Sequence, residues 1–253
     1  VTSPVGMRNS VVLIGEAGVG KTAVVEGLAE MIEEAEYASA ADDKSFLDFE
    51  RLKGRWLVKL NIESVLSSQD PVSSLTALFS LLPQLNSGPA SRGNDVIVLM
   101  DDIQKFFLDA NGRKIANSIL DPLAKGKITL IAATTLDHYK NFIEKDDGFR
   151  RRLQPIEVKE TDVAQTISLL RARKTWMQIL HNAVIEDSVL VAAATLTDQF
   201  DKINFNPDKS VKAIQDSAEL SRPENLRATI ALDLREVWGS LVVAVNEARQ
   251  TLI

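Results

Sequence analysis

Eight consecutive residues constrain this chain more than any other stretch: Gly15-Glu16-Ala17-Gly18-Val19-Gly20-Lys21-Thr22. They fit G-x-x-x-x-G-K-[ST], a pattern that chance would place in a chain of this length on the order of once in a hundred cases. The flanks tighten the reading. Val11-Val12-Leu13-Ile14 precedes it, an apolar run rich in β-branched residues, which predicts a strand buried on both faces of a parallel sheet. Thr22 to Glu36 follows, with Val24, Leu28, Met31, Ile32 and Ala35 at helical spacing. A strand, a glycine turn and a helix start, in that order, make a phosphate cradle. The glycines let backbone N–H groups curl around phosphate oxygens, and the helix N-terminus adds positive potential. Lys21 is then expected to neutralise the β/γ-phosphates and the Thr22 hydroxyl to ligate Mg²⁺. The cofactor-binding set runs from Gly15 through Thr22 to Ala23. A glycine turn that binds nothing is the structural alternative.

A site of this kind needs a second strand that ends in acid. Val96-Ile97-Val98-Leu99-Met100-Asp101-Asp102 supplies one. Asp101 is expected to hold Mg²⁺ through water, and Asp102 to polarise the attacking water. Two aspartates capping a helix at Ile103 would explain the same residues on structural grounds alone.

The rest of the chain supports a layered α/β fold. Further buried strands are expected at Trp56–Leu60, Val96–Met100, Ile128–Ala133 and Gln154–Val158, alternating with helices at Val72–Leu85 and Lys114–Ala124. That alternation predicts a parallel sheet covered on both faces. Tyr37–Glu50 reads as a loop and a short helix, and Asn86–Asn94 as loop. After Thr161 the strand signal stops, and Asp162–His181, Glu186–Phe200, Asp208–Leu220 and Leu226–Leu252 read as helices. The expected organisation is a large α/β domain over 1–160, a small helical domain over 161–225 and an amphipathic helix over 226–253. In that last helix Leu226, Ile230, Leu234, Val237, Leu241, Val245, Ala248 and Leu252 form a seam. It packs either on its own small domain or as a projecting coiled-coil arm.

Composition removes several function classes. The 253 residues hold 29 Lys and Arg against 35 Asp and Glu, a formal net charge of −6, so the footprint of a duplex-binding domain is missing and nucleic acid is disfavoured. Zero cysteines exclude disulfides, thiolate nucleophiles and cysteine-bound zinc, and the two histidines are too few for a His cage. The longest apolar runs, Val96–Met100 and Val189–Ala194, fall far short of the ~18 residues of a membrane helix, so no membrane segment is expected. A cytoplasmic setting is compatible with all of this.

Several stretches together resemble one family. G-E-A-G-V-G-K-T-A-V-V-E-G-L-A, L-M-D-D-I-Q, L-A-K-G-K-I-T-L-I-A-A-T-T-L-D-H-Y, I-E-K-D-D-G-F-R-R-R-L-Q-P-I-E-V and V-L-V-A-A-A-T-L-T-D-Q-F resemble the first AAA+ module of Clp-type ring unfoldases and disaggregases. N-P-D-K-S-V-K-A-I-Q-D-S-A is similar to that family's last small-domain helix. The resemblance runs from about Asn9 to Leu220. It implies an AAA+ P-loop NTPase fold, with a parallel five-stranded sheet between helices plus a small all-helical C-terminal domain. It also implies ATP or ADP with Mg²⁺ bound between subunits of a ring, usually a hexamer, acting on a protein client. By resemblance Thr135 is the γ-phosphate sensor, and Arg151 and Arg152 reach the neighbouring subunit's nucleotide. Guanidinium donors suit charge on a transferring phosphoryl group, although Arg150-Arg151-Arg152 also fits a solvated basic turn. Ile167 and Leu170 match positions flanking adenine and Pro207 a small-domain contact; core packing explains all three equally well.

The departures shape the functional reading. The family pairs Asp with Glu, whereas this chain has Asp101-Asp102, and the shorter acid predicts slow hydrolysis. The family carries a pore aromatic after its second strand, whereas Asn61 to Leu78 holds no Phe, Tyr or Trp. The second pore loop, Phe106 to Gly112, is short. The leading expectation is an ATP-driven protein-remodelling machine. The alternative is a nucleotide-binding scaffold or assembly ring with little turnover, and a DNA-acting clamp loader or initiator ranks third.

Overall fold

A computed structural model describes residues 10–37, 52–85, 96–108, 110–220 and 229–230. Contacts divide the chain into two units. Lys21–Val158 and the residues up to Gly15 form one, and Glu16–Gly20 group with Lys159 onward in the other.

The first unit is built on five parallel strands: β1 (Ser10–Ile14), β2 (Trp56–Lys59), β3 (Val96–Met100), β4 (Thr129–Thr134) and β5 (Leu153–Glu157). Their order is β2-β3-β4-β1-β5. Between them run α1 (Lys21–Tyr37), α2 (Ile62–Leu66), α3 (Pro71–Leu85), a 3-10 helix (Ile103–Phe107) and α4 (Ala110–Ala124). After β4 come α5 (Leu136–His138), a π-helical turn (Tyr139–Ile143) and α6 (Asp147–Arg150). The three central strands are buried throughout, as their largely apolar sequences require, with Ser10, Thr129 and Thr134 as the buried polar exceptions. Alternation sends Val12, Ile14, Val98, Met100, Leu130 and Ala132 to one face, against Phe79, Phe106, Ile119 and Phe149. Val11, Leu13, Ile97, Leu99, Ile131 and Ala133 face the other way, against Val25 and Ile32 of α1.

Three expectations need correction here. Strands β2 and β5 are edge strands, and Trp56 and most of β5 are exposed rather than buried. The apolar stripe of α1 is Val25, Leu28, Ile32 and Ala35, while Val24 and Met31 face out. The spacing of three, four and three keeps one narrow face to the sheet, so the neighbouring Val and Met had no room on it. Phe106 and Phe107 lie in the core, with Phe107 edge-on to Phe149 at 5.3 Å, and do not sit on a displayed loop.

In the second unit, α7 (Val163–His181), α8 (Asp187–Phe200) and α9 (Asp208–Leu220) pack around Leu170, Met177, Leu190, Ala194 and Ile214. Asp162 starts α7 in a capping box with Gln165, each side chain taking the other's backbone N–H. The unit is not wholly helical. β6 (Val184–Ile185) pairs in parallel with β7 (Thr229–Ile230), two positions that the expected helix over Leu226–Leu252 would have included. The remainder of that seam, the stretch after Tyr37 up to Glu50, and Asn86–Asn94 lie outside the described residues. Among the described residues no helix is long and apolar enough to cross a membrane.

Candidate functional site

The motif loop adopts the backbone that its glycines permit. Gly18 (φ 86°) and Gly20 (φ 97°) both take left-handed angles that other residues avoid. A turn closes with the Val19 N–H donating to the Glu16 carbonyl at 3.5 Å. Gly15, at the end of β1, donates its N–H to the Thr134 carbonyl at 3.2 Å. The Lys21 ammonium folds back to the Gly15 carbonyl at 2.8 Å, at the end of β1. Within the second unit the Asp208 N–H donates to the Gly18 carbonyl at 3.3 Å, and a Cβ at position 18 would lie 2.9 Å from the Cβ of Asp208.

In the first unit, Thr22 on the opening turn of α1 donates its hydroxyl to Asp101 Oδ2 at 2.9 Å. The other oxygen of Asp101 accepts the Asp102 N–H at 3.1 Å. Asp101 is thus gripped on both oxygens at the carboxyl end of β3, where parallel sheets present their functional groups. Asp102 has φ 54° and ψ 44°, a left-handed conformation in which Asp and Asn are enriched several-fold over other non-glycine residues. The shorter acid therefore suits this backbone. Asp102 makes no side-chain cap to the 3-10 helix that follows, so capping does not account for it.

The Asp102 side chain is about half exposed and has two neighbours. Gln104 donates Nε2 to its Oδ1 at 3.0 Å, and the Lys105 ammonium lies 3.6 Å from its Oδ2. Lys105 bonds more closely to Glu63, at 2.8 Å. The hydrogen bond and charge of Lys105 hold the Glu63 carboxyl below its ordinary value, and the Glu63 bond holds Lys105 above its own. Gln104 reaches the buried Thr134, whose hydroxyl donates to Oε1 at 2.8 Å.

Thr135, one residue on, caps α5 and exchanges a 2.9 Å hydrogen bond with His138 Nδ1. The paired arginines differ. Arg152 donates to the Gly148 carbonyl at 2.8 Å, whereas Arg151 is exposed and has no side-chain partner among the described residues. Arg150 pairs with Asp147 at 2.5 Å. In the second unit Leu170 is fully buried in the core, Ile167 packs at its edge, and Pro207 is half-buried before α9. The Lys209 side chain, 4% exposed, pairs with Glu160 at 2.9 Å. Burial pushes the Glu160 carboxyl up, but the Asn206 N–H and the Lys209 ammonium outweigh it and hold the group below its ordinary value.

The donor set near Thr22 suits magnesium. Its donors, the Thr22 hydroxyl and the Asp101 carboxylate, are hard oxygens. That matches a cation held by one or two protein oxygens together with phosphates and water. Sequence reasoning missed Gln104, Thr134, the Glu63–Lys105 pair and the Asp208–Gly18 contact. Gln104 had one sequence signal: a polar residue inside Ile103–Phe107, a segment otherwise buried except for Lys105.

Residues 10–208 match the family model described as AAA domain (dynein-related subfamily). The chain is 35% identical over 222 residues to the chaperone protein ClpB of Corynebacterium diphtheriae, and 34% identical over 220 residues to ClpB of Enterococcus faecalis. Each alignment takes in 86% of this chain and 24% of the relative, so the chain spans about a quarter of the length of these curated relatives. Among solved structures it is similar to the Saccharomyces cerevisiae Hsp104–ADP complex, with a TM-score of 0.68 and 29% identity over 85% of this chain and 34% of that one. It is also similar to Hsp104 in a closed state with ATPγS and FITC casein, with a TM-score of 0.67 and 29% identity over 84% of this chain and 35% of that one.

Proposed function

The chain belongs to the AAA domain family and is a Clp-type AAA+ module, and on that premise we propose that it binds Mg-ATP and hydrolyses it to ADP and phosphate as part of a chaperone-type, protein-remodelling ATPase. The observation that carries this reading is the Thr22–Asp101 hydrogen bond. It joins the last motif residue to the acidic end of β3, the pairing that a magnesium-phosphate site needs.

Each residue then has a task. Gly15 gives its N–H to the Thr134 carbonyl and anchors the loop to the sheet, while the backbone N–H groups of residues 16–20 and the Lys21 ammonium bind the phosphate oxygens. Thr22 and Asp101 would hold Mg²⁺, which when bound neutralises phosphate charge. Asp102 accepts the proton of the attacking water through its exposed carboxylate. Thr135 donates its hydroxyl towards the γ-phosphate, and Ala23, Ile167, Leu170 and Pro207 complete the nucleotide-binding set. Arg151 and Arg152 stabilise charge on the phosphoryl group bound by a neighbouring subunit in a ring. Residues 161–225 act as the small domain that hydrolysis moves. The client is a protein and the setting cytoplasmic.

A scaffold that binds nucleotide with little turnover is the second reading, favoured by the short Asp102 side chain and by the absence of an aromatic between Asn61 and Leu78. Steady-state phosphate release measured beside nucleotide titration separates the two. Turnover that rises with unfolded protein supports the motor, and saturable binding without turnover supports the scaffold.

A further inference from the structure

The hydrogen bonds around Gln104 have a fixed direction. The amide donates its NH₂ to a carboxylate oxygen of Asp102, which accepts. Its carbonyl then faces the other way, where the Thr134 hydroxyl donates to it. Thr134 is fully buried in β4, and its backbone carbonyl takes the N–H of Gly15. One residue of the rigid sheet therefore touches both the base of the phosphate loop and, through Gln104, the acid.

A buried amide is costly unless both ends are bonded. Gln104 is only 8% exposed, and its two ends are satisfied by Thr134 and Asp102. Asp102 lies beyond the end of β3 with an exposed side chain, so the strand itself does not fix its carboxylate. We propose that Gln104 is a positioning residue which, anchored by the Thr134 hydroxyl, holds the Asp102 carboxylate where it meets the attacking water. This rests on the reading of Asp102 as the water-activating acid.

The test uses Gln104→Met, which keeps the length and apolar bulk but makes no hydrogen bond, together with Thr134→Val and Thr134→Ser. kcat, KM and nucleotide affinity are measured on the full chain, in wild-type and Asp102→Asn backgrounds. A misplacement of the acid by about 1 Å should lower kcat by roughly 10- to 100-fold, and affinity should stay within about twofold. Thr134→Val should share this loss and Thr134→Ser should restore most of the rate. In the Asp102→Asn background, Gln104→Met should remove nothing further, because its route to the reaction is gone. Unchanged kcat in Gln104→Met, an equal loss in both backgrounds, or a loss of affinity in step with kcat would overturn the proposal while leaving the ATPase reading standing. A wild-type chain without turnover would overturn both. Should Gln104→Met fail to fold, the Thr134→Val and Thr134→Ser pair decides the matter.

Discussion

The Thr22 hydroxyl donates to Asp101 across 2.9 Å, tying the first turn of α1 to the end of β3. Removing it should therefore act on the metal-dependent part of binding. Thr22→Val is expected to weaken Mg-ATP while changing the affinity for ATP in excess chelator little. Lys21→Ala should weaken both, by roughly 10- to 100-fold for the loss of one charge-assisted contact of ~1.5–3 kcal/mol. Titration with and without free Mg²⁺ checks the contrast. Equal losses under both conditions for Thr22→Val would remove the metal role.

Gly18 combines a φ of 86° with a would-be Cβ 2.9 Å from Asp208. Alanine there is strained by its backbone angle and by the clash at once, a combined penalty of about 1–3 kcal/mol. Gly18→Ala should lower nucleotide affinity about tenfold or more. Relieving the clash with Asp208→Gly should recover only part of that loss, because the angle remains. Full recovery would mean that crowding alone requires the glycine.

Arg151 and Arg152 are adjacent in sequence but differently committed. Arg152 is tied to the Gly148 carbonyl, whereas Arg151 is exposed. If the pair serves a neighbouring subunit, Arg151→Ala should abolish most turnover and leave nucleotide binding intact. Arg152→Ala should lower thermal stability as well as rate. Mixing Arg151→Ala with Lys21→Ala protein should rescue part of the activity wherever an intact loop meets an intact arginine. Absence of rescue in assembled mixtures would place the arginine's action within its own subunit.

Glu160 and the buried Lys209 give the second unit a pH-dependent contact. Because the folded Glu160 carboxyl lies below its ordinary value, its contribution is fully present above the unfolded pKa of about 4.3. It is lost as pH falls through the folded value. Glu160→Gln keeps an oxygen that can accept from Lys209 but removes the balancing charge, which, with the Glu160 side chain 35% exposed, should cost about 1 kcal/mol near neutral pH. Thermal unfolding of the two proteins should differ clearly near neutrality and converge below about pH 4. A gap that stays constant across that range would show that the pair is not the source.

Much of this architecture was legible from residues alone because the central strands are unambiguous. Val11–Ile14 and Val96–Met100 are apolar on both faces, and each is followed at once by a residue type that a phosphate site requires, Gly15 and Asp101. The helices of the second unit were equally plain, with Asp162 and Asp208 marking two of their starts. Burial at the margins was not. Trp56 looks like a core residue until β2 proves to be an edge, and Val24 differs from Val25 only by the rotation of α1. The left-handed turn at Asp102 carries no sequence mark beyond the aspartate itself. The Gln104–Thr134 bond joins residues thirty positions apart, and only the adjacency of β3 and β4 brings them together.

Steady-state phosphate release from Mg-ATP, by wild type and by Asp102→Asn at matched nucleotide saturation, bears most directly on the claim that this chain is an ATPase. The substitution keeps the side chain's shape and its tolerance of the left-handed backbone, but it removes the group that accepts the water's proton. Measurable wild-type turnover is predicted, falling by about 100-fold or more in Asp102→Asn, with nucleotide affinity preserved in both. Equal turnover in the two proteins, or none in a wild type that binds ATP tightly, would contradict the account.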